Sequence, residues 1–116
     1  MRTFEEGKHI LLRHRDIPEL DNLDVYIQHG GFEAYRMVVT SMTPDQVTEV
    51  VKASGLRGRG GAGFPTGVKW SFIDKKNFPH YVVANADESA PGTLKDRAIR
   101  ESNACQVLEG AAICAR

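Results

Sequence analysis

Residues 55–67 read Gly-Leu-Arg-Gly-Arg-Gly-Gly-Ala-Gly-Phe-Pro-Thr-Gly and hold six of the chain's eleven glycines. Ordering glycine costs more backbone entropy than ordering any other residue, so this density weakens a fold unless the backbone itself is put to use. The uses are positive φ and the approach of a partner closer than a Cβ permits. Arg57 and Arg59 add cations to bare N–H groups, a pairing that suits an anion and above all a phosphate. Lys69 stands two residues beyond as a further point charge. Between Leu56 and Lys76, five cations (Arg57, Arg59, Lys69, Lys75, Lys76) face one anion, Asp74. The chain as a whole has 15 basic and 15 acidic residues, so the positive potential is local. That balance argues against a general nucleic-acid or membrane-surface binder and fits one small anionic ligand.

Other readings of the loop fare less well. Gly58-x-Gly60-x-x-Gly63 matches the dinucleotide fingerprint literally, but that fingerprint follows a strand and opens a helix. Here a helix pattern precedes it. A Walker A loop is missing its Gly-Lys-Ser/Thr. The Arg-Gly-Gly segments of RNA-binding tails are long and repetitive, whereas this is a single copy beside apolar Phe64, Trp70 and Phe72. A non-standard phosphate loop over Gly58–Gly67 survives, with a tight loop that binds nothing as the plain alternative. Phe64 could stack on a purine or flavin as readily as pack, while packing is the preferred reading for Trp70.

Asn85, Asp87 and Glu88 form a second polar group. They suit either a turn leading into a helix or hydrogen bonds to ring nitrogens and ribose hydroxyls. The four histidines show no metal-ligand spacing, and no Ser-His-Asp or Cys-His arrangement supports hydrolysis. Cys105 and Cys114 are nine positions apart and fall on opposite faces of one helix, which suits small buried hydrophobes in a reducing compartment. No run reaches the roughly 18 apolar residues of a spanning helix. The opening residues, Met1 to Lys8, lack a signal-peptide core.

The elements that must position these groups are mostly helical. Residues 1–28 read as an arm or irregular lead-in, and Gly30-Gly31 punctuates the chain before a short helix over Phe32–Val39. Thr43, Pro44 and Gln46 spell a capped helix start, with Val47, Val50 and Val51 on one face and Gly55 as the stop. Val68–Ile73 suggests one or two helical turns, and Asp74–His80 a polar turn. Tyr81–Ala84, short, apolar and β-branched, reads as a buried strand that delivers Asn85, Asp87 and Glu88 at its carboxyl end. Thr93 is the expected cap of a helix over Leu94–Glu101, and Asn103 of one over Ala104–Ala115 with Val107, Leu108, Ala111 and Ala112 facing inward. One strand makes no sheet, so the pattern reads as a piece of something longer.

Taken together, Ser54–Phe72 and Tyr81–Arg97 resemble the NADH-binding flavoprotein subunit of respiratory complex I and its relatives in NAD-linked formate dehydrogenases and NAD-reducing hydrogenases. Gly30-Gly31-Phe32-Glu33-Ala34 and Leu108-Glu109-Gly110 fit the same pattern, so the likeness covers roughly residues 25–116. It implies an α/β fold: the N-terminal portion of a Rossmann-like FMN/NADH-binding domain, with an incomplete sheet and rich in helix. Residues 1–28 would be an N-terminal arm and 29–116 the first part of that domain.

Several roles follow from the resemblance. FMN and NAD(H) are the implied cofactors, and Gly58, Arg59, Gly60, Gly61, Ala62, Gly63, Phe64, Pro65, Thr66 and Gly67 the loop that faces them. Arg59, Gly60 and Lys69 would hold FMN, with Lys69 on its phosphate. Asn85, Asp87 and Glu88 would contact the ribityl chain and ring, Glu88 also lying near the nicotinamide. Phe64 and Phe72 would flank the adenine of NADH. No side chain acts as acid or base, and no metal ligand is present, since the family's 4Fe–4S cysteines lie past the matching region. The local Asn103-Ala104-Cys105-Gln106 departs from the Pro-His that is more usual there.

The implied activity is hydride transfer from NADH to FMN followed by single-electron release toward quinone. The implied partners are other subunits of a multi-subunit complex, notably a thioredoxin-like 2Fe–2S subunit, without nucleic acid or direct membrane insertion. The implied location is peripheral, on the cytoplasmic side of the inner membrane or in the mitochondrial matrix. The alternative is a non-catalytic interaction fragment that keeps the loop and binds no flavin alone.

Overall fold

A computed structural model of the chain describes residues 11, 12, 14 and 16–116. Six helices form among the described residues: α1 (Leu23–Gln28), α2 (Glu33–Ser41), α3 (Pro44–Ala53), α4 (Thr66–Trp70), α5 (Lys95–Ser102) and α6 (Ala104–Cys114). They divide between two compact units. One joins the described residues up to Tyr35 with Val82–Ala115; the other is Arg36–Tyr81.

The first unit is organised around Leu20, Tyr26 and Cys105, with Ile17, Val25 and Phe32 packed against them. α1 corrects the expectation of an irregular lead-in at its C-terminal end. Asn22 caps it by accepting from the Asp24 amide at 2.9 Å, a local signal that the short apolar stretch obscured. The first ten residues of the expected arm lie outside the described residues. α5 and α6 start where expected to within a residue, but their caps differ. Leu94 occupies the cap position of α5, where no side chain of the cap residue bonds, and Thr93 does not serve. Asn103 precedes α6 without capping it, because its amide is turned to Gln106 instead. The inner face of α6 carries Cys105 and Glu109, while Val107 and Leu108 are exposed.

In the second unit, α3 begins with the expected capping box. Thr43 Oγ1 accepts from the Gln46 amide at 3.3 Å, and Gln46 Oε1 accepts from the Thr43 amide at 2.8 Å. Gly55 follows the helix at φ +70°. Val47 is buried and Val51 half-buried, but Val50 is exposed. α4 crosses α3 at Gly67. A Cβ there would stand 2.5 Å from the Lys52 amide nitrogen, so only glycine lets the two helices meet.

Tyr81–Ala84 is not a buried strand. Tyr81 is 81 % exposed and Val83 86 %, and among the described residues no ladder forms anywhere. The single bridge joins Arg57 to Pro65. Extended backbone gains nothing until a neighbour takes its N–H and C=O groups, and no described segment pairs with this one. The described fold is therefore helical.

Candidate functional site

The glycine-rich segment folds as a small hairpin in the second unit. Its neck is held by two backbone bonds, Thr66 N to Leu56 O at 2.9 Å and Gly58 N to Phe64 O at 2.9 Å. A third crosses the turn: Arg57 Nη1 donates to the Gly63 carbonyl at 3.0 Å. Beyond the neck, residues Arg59, Gly60, Gly61, Ala62 and Gly63 form the tip. Gly61 at φ +102° and Gly63 at φ +60° take backbone conformations that disfavour any side chain. A Cβ on Gly60, Gly61 or Gly63 would meet nothing within 4 Å among the described residues, so the space beside these three backbone positions is open. Among the described residues, no backbone carbonyl accepts from the tip amides.

Around the hairpin the expected residues are partly gathered. Arg59 and Lys69 are both exposed, so each can meet a solvent-borne anion. Phe64 and Phe72 approach each other with ring centroids 6.2 Å apart at 53°. Phe72 is 71 % exposed, so much of its ring is open to solvent. Trp70 is half-buried. Gly67, Pro65 and Thr66 belong to the neck and the start of α4, and the missing side chain of Gly67 serves the crossing with α3.

Asn85, Asp87 and Glu88 fall in the other unit. Asn85 Oδ1 accepts from the Asp87 amide at 2.9 Å, and Asp87 Oδ2 accepts from Ser89 Oγ at 2.6 Å, so these two shape a local turn. Glu88 turns both carboxylate oxygens to the start of α5. They accept from Asp96 N at 3.0 Å and Arg97 N at 2.7 Å. A carboxylate at a helix N-terminus satisfies orphan amides and opposes the positive end of the dipole. This explains why α5 needs no cap from Thr93.

Sequence reasoning missed a buried polar knot in that same unit. Glu109, 8 % exposed, accepts from Tyr26 Oη at 2.5 Å, from Phe32 N at 3.0 Å and from Tyr35 N at 3.1 Å. Phe32 immediately precedes α2 and Tyr35 lies in its first turn, so a glutamate of α6 closes the start of a helix far away in sequence. Burial, and then the hydrogen bond to Glu109, push the Tyr26 phenol well above its usual range. The signal was a lone acid between Val107-Leu108 and Ala111-Ala112, since a glutamate is almost never buried unpaired. A half-open cavity of about 380 Å³ lies over this knot, lined by His29, Gly30, Gly31 and Gln106 among others, and none of the expected site residues lines it.

Comparison with known proteins matches a stretch that contains the hairpin. The family model described as Nuo51 FMN-binding domain matches residues 51–116, which contain the whole hairpin and the Asn85–Glu88 turn. The chain belongs to this family. Its relatives include the F subunits of NADH-quinone oxidoreductases. Against the second such protein of Rhizobium meliloti (strain 1021) it is 50% identical over 107 residues, covering 91% of this chain and 25% of that protein. Against that of Streptomyces coelicolor it is 52% identical over 99 residues, covering 84% and 22%, respectively. Against that of Mycobacterium tuberculosis the identity is 45% over 113 residues, covering 91% and 25%. The chain thus spans about a quarter of the length of the curated relatives it matches.

Proposed function

We propose that this chain is the N-terminal portion of an NADH-dehydrogenase flavoprotein subunit, and that the 57–65 hairpin holds the phosphate of FMN. The observation that carries the reading is the hairpin tip, with two positive-φ glycines, amides that no described backbone carbonyl takes up, and an exposed Arg59, with Lys69 exposed on the α4 that follows. Those groups fit a phosphate: amides and cations donate, and the tip amides are not taken up by the backbone among the described residues. Gly58, Gly60, Gly61, Ala62 and Gly63 would line the approach, and Lys69 would take the phosphate charge. Phe64 and Phe72 would flank the adenine of NADH. Asn85 and Asp87 would bond the ribityl chain and ring, and Glu88, whose carboxylate accepts from the first amides of α5, would lie near the nicotinamide.

When bound, FMN supplies hydride acceptance from NADH and one-electron release toward iron–sulfur centres. The protein's own residues bind and orient; none need act as acid or base. The α/β, Rossmann-like domain belongs to the same proposal, with residues 29–116 as its first part. So do a multi-subunit complex that includes a 2Fe–2S partner, and a peripheral location on the cytoplasmic side of the inner membrane or in the matrix. Among the described residues no helix is long and apolar enough to cross a membrane.

The test is flavin titration of the purified chain, followed by fluorescence quenching. FMN is expected to bind, and Lys69→Ala to weaken it roughly tenfold, the scale of one exposed charge-assisted hydrogen bond. Riboflavin, which has no phosphate, is expected to be indifferent to that change. A colourless chain that FMN cannot reconstitute would favour the interaction-fragment reading instead.

A further inference from the structure

Arg57 and Arg59 lie two residues apart in one hairpin, and the structure gives them different work. Arg59 stands exposed at the tip. Arg57 sits at the neck, bridged to Pro65, and its guanidinium spans the turn to the Gly63 carbonyl at 3.0 Å. That carbonyl belongs to the peptide joining Gly63 to Phe64, whose own carbonyl receives the Gly58 amide. One side chain therefore fixes the orientation of the last tip peptide, next to a glycine already at φ +60°. Five residues of the tip contain three glycines, and the Arg57 bond is what ties their backbone to a described side chain. Without that bond the tip can take many conformations, most of them with amides pointing apart.

We propose that Arg57 is a positioning residue: it braces the hairpin so that the tip amides converge on an anion, while Arg59 alone of the two meets that anion. The inference rests on the FMN reading of the same loop. Its physical content is pre-organisation, since a loop ordered before binding loses less entropy on binding. Arg57 is thus expected to matter through geometry and Arg59 through charge.

The experiment compares the 116-residue chain with its Arg57→Ala and Arg59→Ala variants. The first readout is amide hydrogen exchange without flavin. Arg57→Ala is expected to speed exchange at Gly58 and Thr66 about tenfold, on the scale of one guanidinium–carbonyl bond, and Arg59→Ala to leave it unchanged. The second is FMN affinity across a range of salt. Arg57→Ala is expected to weaken binding about tenfold with the parent's salt dependence; Arg59→Ala weakens it and flattens that dependence, because a screened charge pair has been lost. Unchanged exchange in Arg57→Ala would overturn the brace whatever flavin does. Faster exchange with undiminished FMN affinity would reduce Arg57 to a fold stabiliser and overturn the proposal. A flattened salt dependence in Arg57→Ala would make it a ligand contact, with the same result. A parent chain that binds no FMN would sink the functional reading alone, since the exchange measurement needs no flavin.

Discussion

Truncating Glu109 to alanine removes the acceptor of three donors at once: the Tyr26 hydroxyl and the Phe32 and Tyr35 amides. Tyr26 is buried, so its hydroxyl bears a full unsatisfied-donor penalty of about 1–3 kcal/mol. Phe32 and Tyr35 are only half-buried, and water recovers part of their loss, leaving about 0.5–1 kcal/mol each. The lost charge at the α2 N-terminus adds about 0.5 kcal/mol. Against this, removing a buried carboxylate also removes its own desolvation cost, so the net is smaller than the bonds suggest. The balance is about 3 kcal/mol, a large share of the roughly 5–15 kcal/mol by which a domain is stable. Glu109→Gln keeps the volume and one acceptor but turns an NH2 group toward donors, so about 1–2 kcal/mol is expected. Urea unfolding followed by far-UV circular dichroism should therefore order the three as parent, Gln, Ala. A double-mutant cycle with Tyr26→Phe should show coupling near about 1 kcal/mol. An alanine variant within about 0.5 kcal/mol of the parent, or a strictly additive cycle, would refute the claim that this knot joins α6 to α2.

Three further outcomes follow from the geometry. Gly67→Ala gains about 1 kcal/mol of helix propensity but sets a Cβ 2.5 Å from the Lys52 amide nitrogen. Backbone cannot swing aside as a side chain does, so overpacking at the upper end of about 1–3 kcal/mol wins, and denaturant midpoints should fall. Because Tyr26 holds its proton more tightly folded than unfolded, its contribution is complete below the ordinary phenol value of 10.0 and is lost as pH rises beyond it. Stability measured from about pH 8 upward should thus decline above about pH 10, and Tyr26→Phe should flatten the decline. Burial raises the Cys114 thiol, and Cys105 is only 6 % exposed, so native-state maleimide labelling of both at neutral pH should be slow. Rapid labelling of Cys105 would contradict its place in the core.

How much was legible depends on how local the cause was. Thr43, Pro44, Gln46 and Gly55 act within a few residues of one another, and α3 starts and stops where they say. The special backbone of the next segment was equally plain, because six glycines in thirteen residues point to conformations that side chains disfavour, and Gly55, Gly61 and Gly63 take them. Tyr81–Ala84 misled for the opposite reason. Its pattern states a preference for extended backbone, but a strand exists only when a neighbour supplies the ladder, and none of the described segments does. Thr93 and Asn103 have the right chemistry for caps, yet Glu88 and Gln106 compete for those positions through contacts that spacing does not reveal.

The amino-acid order alone thus determined the capped helix, the stripped backbone of residues 58–63 and the local excess of cations, since each arises from neighbours in the chain. Only the tertiary structure decided that Arg57 turns back on Gly63 while Arg59 does not, that Gly67 is required by Lys52, and that Glu109 closes the start of a helix 74 residues away. Those assignments depend on which donors and acceptors are brought within about 3 Å by packing, and chain order does not encode that distance.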